Sequence, residues 1–215
     1  MVKALALHGG AGAWRLGALA GKAVEAVKEC TERAWRVLSE RNSALDAVVE
    51  AVVCMEDSGY LNAGYGSTLN LLGERELDAG LMTSTGLLGA VAAVKSTRNP
   101  ILLARIVAEK TPHVLLVGEN ADRLALLHGL PPLPPPPQHV VERYKEVLRK
   151  ITSGEVADSY YKALRGFIEE GVYSKLLRRV LDVYDTVGAV ALDENNVLAA
   201  ATSTGGVILK LPGRV

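Results

Sequence analysis

Apolar and polar positions along the chain follow two rhythms, and the switches between them mark the expected elements. Residues 3–7 are a short apolar run that predicts a strand, and His8-Gly9-Gly10-Ala11-Gly12-Ala13 behind it is a glycine-rich turn that permits close backbone approach. Ala23, Val27, Cys30, Ala34 and Val37 then recur at helical spacing, and Ser43 with Asp46 forms a capping-box-like start ahead of Val48, Val49, Val52 and Val53. Two amphipathic helices packing on a sheet are expected. From Asp57 to Ser67 the helical pattern gives way to polar turn formers and glycines, a shaped loop.

Segments 68–72, 76–82 and 88–95 are short and apolar, which predicts consecutive strands joined by tight turns. Asn99 and Pro100 open a further helix that stops before Pro112. His113 to Val117 is expected to be a buried strand, succeeded by a helix to about His128 with Gly129 as its stop signal. Pro131 to Pro137 must be extended, because proline fixes φ and disfavours helix in the residue before it. Residues 139–183 are charged and mostly helical in pattern, the mark of a solvated connector, so 130–185 is expected to act as a linker. Thr186 to Leu192 and Val197 to Thr204 flank Asp193-Glu194-Asn195-Asn196 and predict an antiparallel hairpin.

Composition narrows the partners. With 215 residues, 49% hydrophobic and 22% charged, the chain has the makeup of one globular domain. Lys+Arg 24 against Asp+Glu 24 leaves no net charge to draw it onto nucleic acid or an anionic membrane, so small molecules or protein are the expected partners. No apolar run reaches membrane-spanning length and the start lacks a signal-like core, which points to the cytoplasm. Cys30 and Cys54 lie on apolar helical segments and read as small core residues rather than a disulfide.

Several residues could carry chemistry. Thr186 opens a buried strand just past the charged connector, a place where threonine is ordinarily only a strand former. If the peptide bond before it were cut, the new α-amino group, titrating near pH ~8, would sit within reach of its own hydroxyl and serve as the base. Thr202 and Thr204 share one face of the second hairpin strand, where one of them could lie beside Thr186 or the two could simply satisfy each other. His8-Gly9-Gly10 could be an anion nest or a plain turn, and no phosphate-loop or dinucleotide spacing is present. Arg214 could clamp a carboxylate or be solvated. His8, His113, His128 and His139 are scattered without zinc spacing.

Seven blocks then resemble, in order, the plant-type asparaginase and isoaspartyl-peptidase family of N-terminal-nucleophile hydrolases. They are His8-Gly9-Gly10-Ala11-Gly12, Leu61 to Ser67, Glu76-Leu77-Asp78-Ala79, Arg98-Asn99-Pro100, Asp185 to Asp193, Thr202-Ser203-Thr204-Gly205-Gly206 and Leu211 to Val215. The resemblance implies an α+β fold, a four-layer αββα sandwich, made as a precursor that cuts itself between Asp185 and Thr186. Residues 1–185 would be the α-subunit region and 186–215 the start of the β-subunit. Thr186 would be the nucleophile, with Thr204 positioning it, Asn62 in the nearby loop, and Arg214 holding the substrate carboxylate. L-asparagine and β-aspartyl dipeptides are the implied substrates, with no cofactor for catalysis. A structural sodium ion is implied on the main-chain carbonyls of Met55, Glu56, Ser58, Leu61, Ala63 and Tyr65, and a dimer of processed units as the assembly. The family pattern continues past the position of Val215 with an ammonium-binding aspartate, a Thr-Gly oxyanion pair and further strands. The fold is therefore expected to be incomplete at its C-terminus. The chain could accordingly be a subunit that needs a second polypeptide, or a non-catalytic remnant.

Overall fold

The computed structural model describes residues 2–11, 18–155, 165 and 186–215. Strands β1 (Ala4–His8), β2 (Leu77–Thr83), β3 (Leu88–Val94), β4 (Leu115–Val117), β5 (Val187–Leu192) and β6 (Leu198–Thr204) form one sheet in the order β1-β5-β6-β2-β3-β4. Among the described strands, only the β3–β4 pairing is parallel. The hairpin that begins just after Thr186 thus sits in the middle of the sheet, with β5 against β1 and β6 against β2. Asp193 sets its turn: Oδ1 accepts the amides of Asn195 and Val197, while Oδ2 accepts that of Ala44 and ties the turn to a helix start.

Helices α1 (Ala18–Arg41), α2 (Ala44–Asp57), α3 (Pro100–Lys110) and α4 (Gly118–Leu127) accompany the sheet. α2 lies against β5 and β6, α3 against β2 and β3, and α1 packs on α2 and β1. Ser43 caps α2 as its spacing predicts, its hydroxyl accepting the Asp46 amide at 3.1 Å. Asn99 sits at the start of α3 but does not cap it, its amide reaching Asp57 instead. On the helix-covered face Ala79, Leu81, Val91, Val187, Ala189, Ala191, Ala199 and Ala201 join α1 to α4 in one core. The small alanines of β5 and β6 allow α2 to approach closely.

The opposite face is different. The register aligns Val190 with Ala200, Leu192 with Leu198, Met82 with Leu88, and Ala90 with Leu115 on that side. Val190, Leu198, Met82, Leu88, Leu115 and Val117 are all exposed there. β4 is therefore an exposed edge strand, not the buried strand its apolar run suggests, because the described residues leave this part of the face uncovered.

Three further expectations are corrected. Cys30 and Cys54 form a disulfide that ties α1 to α2, with Cα atoms 5.4 Å apart. The pairing escapes sequence reading because each cysteine lies on the buried stripe of its own helix, and only the antiparallel packing of the two makes the stripes meet. Residues 68–72 are not a strand: Asn70 Oδ1 accepts the amides of Leu72 and Glu74 and folds the segment into a turn. The charged segment after the prolines is not wholly solvated either. Helix α5 (Gln138–Thr152) buries Val140, Val147, Leu148 and Ile151, the last three of which join Leu71, Ile208 and Leu209 in a second, smaller core. The rest of that segment lies largely outside the described residues.

Candidate active site

Thr186 stands one residue before β5, at the end of a strand whose first residue, Val187, is fully buried. It is exposed, on the open face, flanked by the ends of β1 and β6. Thr186 Oγ1 donates to Thr204 Oγ1 at 3.1 Å. Period-two alternation puts Thr202 on the same side as Thr204, and the register resolves which one serves: Val187 pairs with Ser203, leaving Thr204 beside residue 186. On the other flank His8 Nδ1 lies 3.2 Å from the Thr186 carbonyl oxygen, a hydrogen bond when that nitrogen carries the proton. Residue 186 is thus held by its hydroxyl on one side and its carbonyl on the other. Asp185, the expected residue before the cut, lies outside the described residues.

Thr204 is itself fixed. Its Oγ1 accepts the Gly206 amide at 2.9 Å, in a tight turn where Gly206 adopts φ +73°. Asn62 braces this turn from below: its Nδ2 donates to the Gly206 carbonyl at 2.7 Å, its Oδ1 accepts the Thr68 amide at 2.9 Å, and its own carbonyl accepts the Gly205 amide at 3.1 Å. Gly205 has no room for a side chain, since an added Cβ would lie 2.6 Å from Asn62 Oδ1. The buried Asn62 therefore acts on Thr204 through the backbone of the turn.

Gly9 is needed for packing, because a Cβ there would meet Val27 Cγ2 at 2.6 Å. Arg214 is exposed in the segment after β6, and no described contact joins its guanidinium to Thr186. That segment is anchored nearby, with Glu76 Oε2 accepting the Gly213 amide at 2.9 Å.

The loop from Met55 to Tyr65 places the carbonyl oxygens implied for sodium. Single protein donors engage four of them: Ser58 Oγ on Met55, the Ala63 amide on Leu61, the Gly66 amide on Ala63 and Arg75 Nη1 on Tyr65. A carbonyl has two lone pairs, so one accepted bond does not bar coordination, and a neutral oxygen set suits a hard cation. The Arg75 guanidinium on Tyr65 makes that corner the weakest fit. Among the described residues, no group of three or more His, Cys, Asp or Glu side chains could hold a metal ion. The side chain of Glu56, in the last turn of α2, is fully buried, with Oε1 accepting the Ile101 amide at 3.1 Å. Burial pushes its carboxyl up to about 8, against hydrogen bonding from Ser203, Ile101 and Asn99 that favours ionisation. It is mostly protonated at neutral pH.

Sequence reading gave no catalytic role to His8 or Thr68, or to Lys210. A lysine inside the apolar run Val207-Ile208-Leu209-Lys210-Leu211 is the one local sign that could have singled out Lys210. Nothing local marks the contact of His8 with residue 186, which depends on β1 pairing with a strand from the far end of the chain.

Residues 1–215 match the family described as Asparaginase. The chain is 44% identical over 213 residues to a plant-type L-asparaginase of Pyrococcus horikoshii, covering 99% of this chain and 66% of that protein. A plant-type L-asparaginase of Pyrobaculum calidifontis is 45% identical over 213 residues, 98% of this chain and 65% of its own. An isoaspartyl peptidase of Salmonella typhimurium is 38% identical over 216 residues, again 98% and 65%. The chain thus spans just under two thirds of the length of these curated relatives.

Proposed function

The chain belongs to the asparaginase family, and from that premise we propose that it is the nucleophile-bearing part of a self-cleaving amidohydrolase acting on L-asparagine, β-aspartyl dipeptides, or both. The observation that carries the proposal is the hydrogen bond from Thr186 Oγ1 to Thr204 Oγ1 at the exposed end of a central strand. In the precursor, Thr186 Oγ attacks the carbonyl of Asp185, the acyl group moves from nitrogen to oxygen, and water hydrolyses the ester. That sequence frees an Asp185 carboxylate and a Thr186 α-amino group.

The freed amine then takes the proton of the Thr186 hydroxyl as Oγ attacks the side-chain carbonyl of the substrate. Collapse returns that proton to the leaving nitrogen and releases ammonia from asparagine, or an amine from an isopeptide, leaving a β-aspartyl ester on Thr186. Water, deprotonated by the same amine, resolves the ester to aspartate. Thr204 orients the hydroxyl, Asn62 braces the turn that holds Thr204, and Arg214 is assigned to the substrate α-carboxylate. A sodium ion on the carbonyls of Met55, Glu56, Ser58, Leu61, Ala63 and Tyr65 would stiffen the loop carrying Asn62 and supply no catalytic chemistry.

The open sheet face supports a four-layer αββα sandwich, since its exposed apolar side chains suit a second sheet stacked about 10 Å away. The assembly proposed is a dimer of cut units. The test is intact mass and ammonia release on protein purified from its own cells, so that any polypeptide belonging with these residues is present. A fragment beginning at Thr186 is expected together with hydrolysis. Thr186→Ala should stay uncut and lose at least about 10^4-fold in rate. Full activity in a wholly uncut wild-type chain would refute the proposal.

A further inference from the structure

Among the described residues, Lys210 is the bulkiest side chain fully withdrawn from solvent. A buried ammonium is costly unless paired, and here Nζ donates to Asp78 Oδ2 at 3.2 Å. Asp78 is the register partner of Thr204 across the β2–β6 pairing, so Thr186, Thr204 and Asp78 stand in one row across neighbouring strands on the open face. The other carboxylate oxygen is engaged too: Asp78 Oδ1 accepts the Ala93 amide at 2.8 Å, which locks the acid to β3.

The lysine stem runs against Gly206. A Cβ at Gly206 would lie 2.8 Å from Lys210 Cδ and 3.1 Å from Nζ. Gly206 is the residue whose amide aims Thr204 Oγ1, and the backbone of Lys210 is pinned in turn by its amide on Val207 and its carbonyl on Leu71. One end of the ion pair therefore abuts the turn that orients Thr204, and the other stands beside Thr204 in the sheet. Replacing a buried pair by apolar groups is often neutral for stability, so stability alone does not call for an ion pair at this spot.

We infer that the Lys210–Asp78 pair is a positioning device that holds the Gly205-Gly206 turn against β2, and so sets the Thr204 hydroxyl for residue 186. It touches neither substrate nor the reacting atoms. The inference rests on the reading of Thr186 as nucleophile.

The test uses Lys210→Met and the double variant Asp78→Asn/Lys210→Met in the complete protein. The single change leaves Asp78 without its cation, whereas the double keeps the stem and a hydrogen-bond acceptor for Ala93 but removes both charges. In the double variant the thermal midpoint is expected to return close to wild type, while kcat for L-asparagine stays about 10- to 100-fold down with KM within about threefold, and scission before Thr186 slows in parallel. A folded double variant that cuts and turns over at the wild-type rate overturns the inference, as does a fall in kcat and KM together. If the single variant does not fold, the double still decides. A wild-type protein that neither cuts nor hydrolyses overturns the nucleophile reading and this inference with it.

Discussion

Leu81 and Met82 are neighbours on β2, yet Leu81 is 3% exposed beneath the helices and Met82 is 55% exposed on the far side. The contrast holds across the sheet. The helix-covered face is closely packed and carries a disulfide, whereas the open face combines unburied apolar side chains with the row of Thr186, Thr204 and Asp78. The packed core thus lies on one side of a single layer of strands, and the exposed Thr186 proposed as nucleophile lies on the other.

The largest test of this division concerns the acid buried on the covered side. The Glu56 carboxyl is raised from 4.5 to about 8, so between those pH values the unfolded chain has released a proton that the folded chain keeps. Stability from this group is therefore fullest below pH 4.5 and declines as pH rises to 8, by up to about 5 kcal/mol. Glu56→Gln should remove that decline. Denaturant melts of both proteins at a series of pH values would show it, and parallel curves would mean that the carboxyl is not held neutral.

A smaller effect compares the faces directly. Leu81→Ala should cost about 3 kcal/mol, while Met82→Ala should stay within about 0.5 kcal/mol in the isolated chain. Equal costs would mean that the open face is covered in solution. Of similar size is the cross-link on the covered side. Reducing Cys30–Cys54, or replacing both residues by serine, should lower stability by about 3 kcal/mol for a sequence separation of 24 while leaving scission before Thr186 intact. A reduced protein that melts unchanged but no longer cuts would dissolve the separation of the two faces.

Much of the hairpin behind Thr186 was legible from residue order because its signals are local. The alternation of 186–192 and 197–204 about an Asp-Glu-Asn-Asn turn specifies both the hairpin and which threonines share a face. Ser43 and Pro100 mark helix starts for similarly local reasons. Pairings between distant segments were not legible. Cys30 meets Cys54 only because two helices pack, Lys210 meets Asp78 only because the segment after β6 folds back along β2, and α5 is buried only because Ile208 and Leu209 come to meet it. The role of Arg214 came from motif resemblance, and no described contact bears on it.

The place of β5 and β6 in the strand order would decide the fate of the two pieces if the backbone were cut as proposed. β5 holds five register pairs with β1 and β6 holds six with β2, so a nick ahead of residue 186 would free a chain end without freeing the hairpin. The two products would remain a tight heterodimer sharing one continuous hydrogen-bonded ladder. Their separation would require unzipping the middle of the sheet, so topology would uncouple the proposed maturation from dissociation.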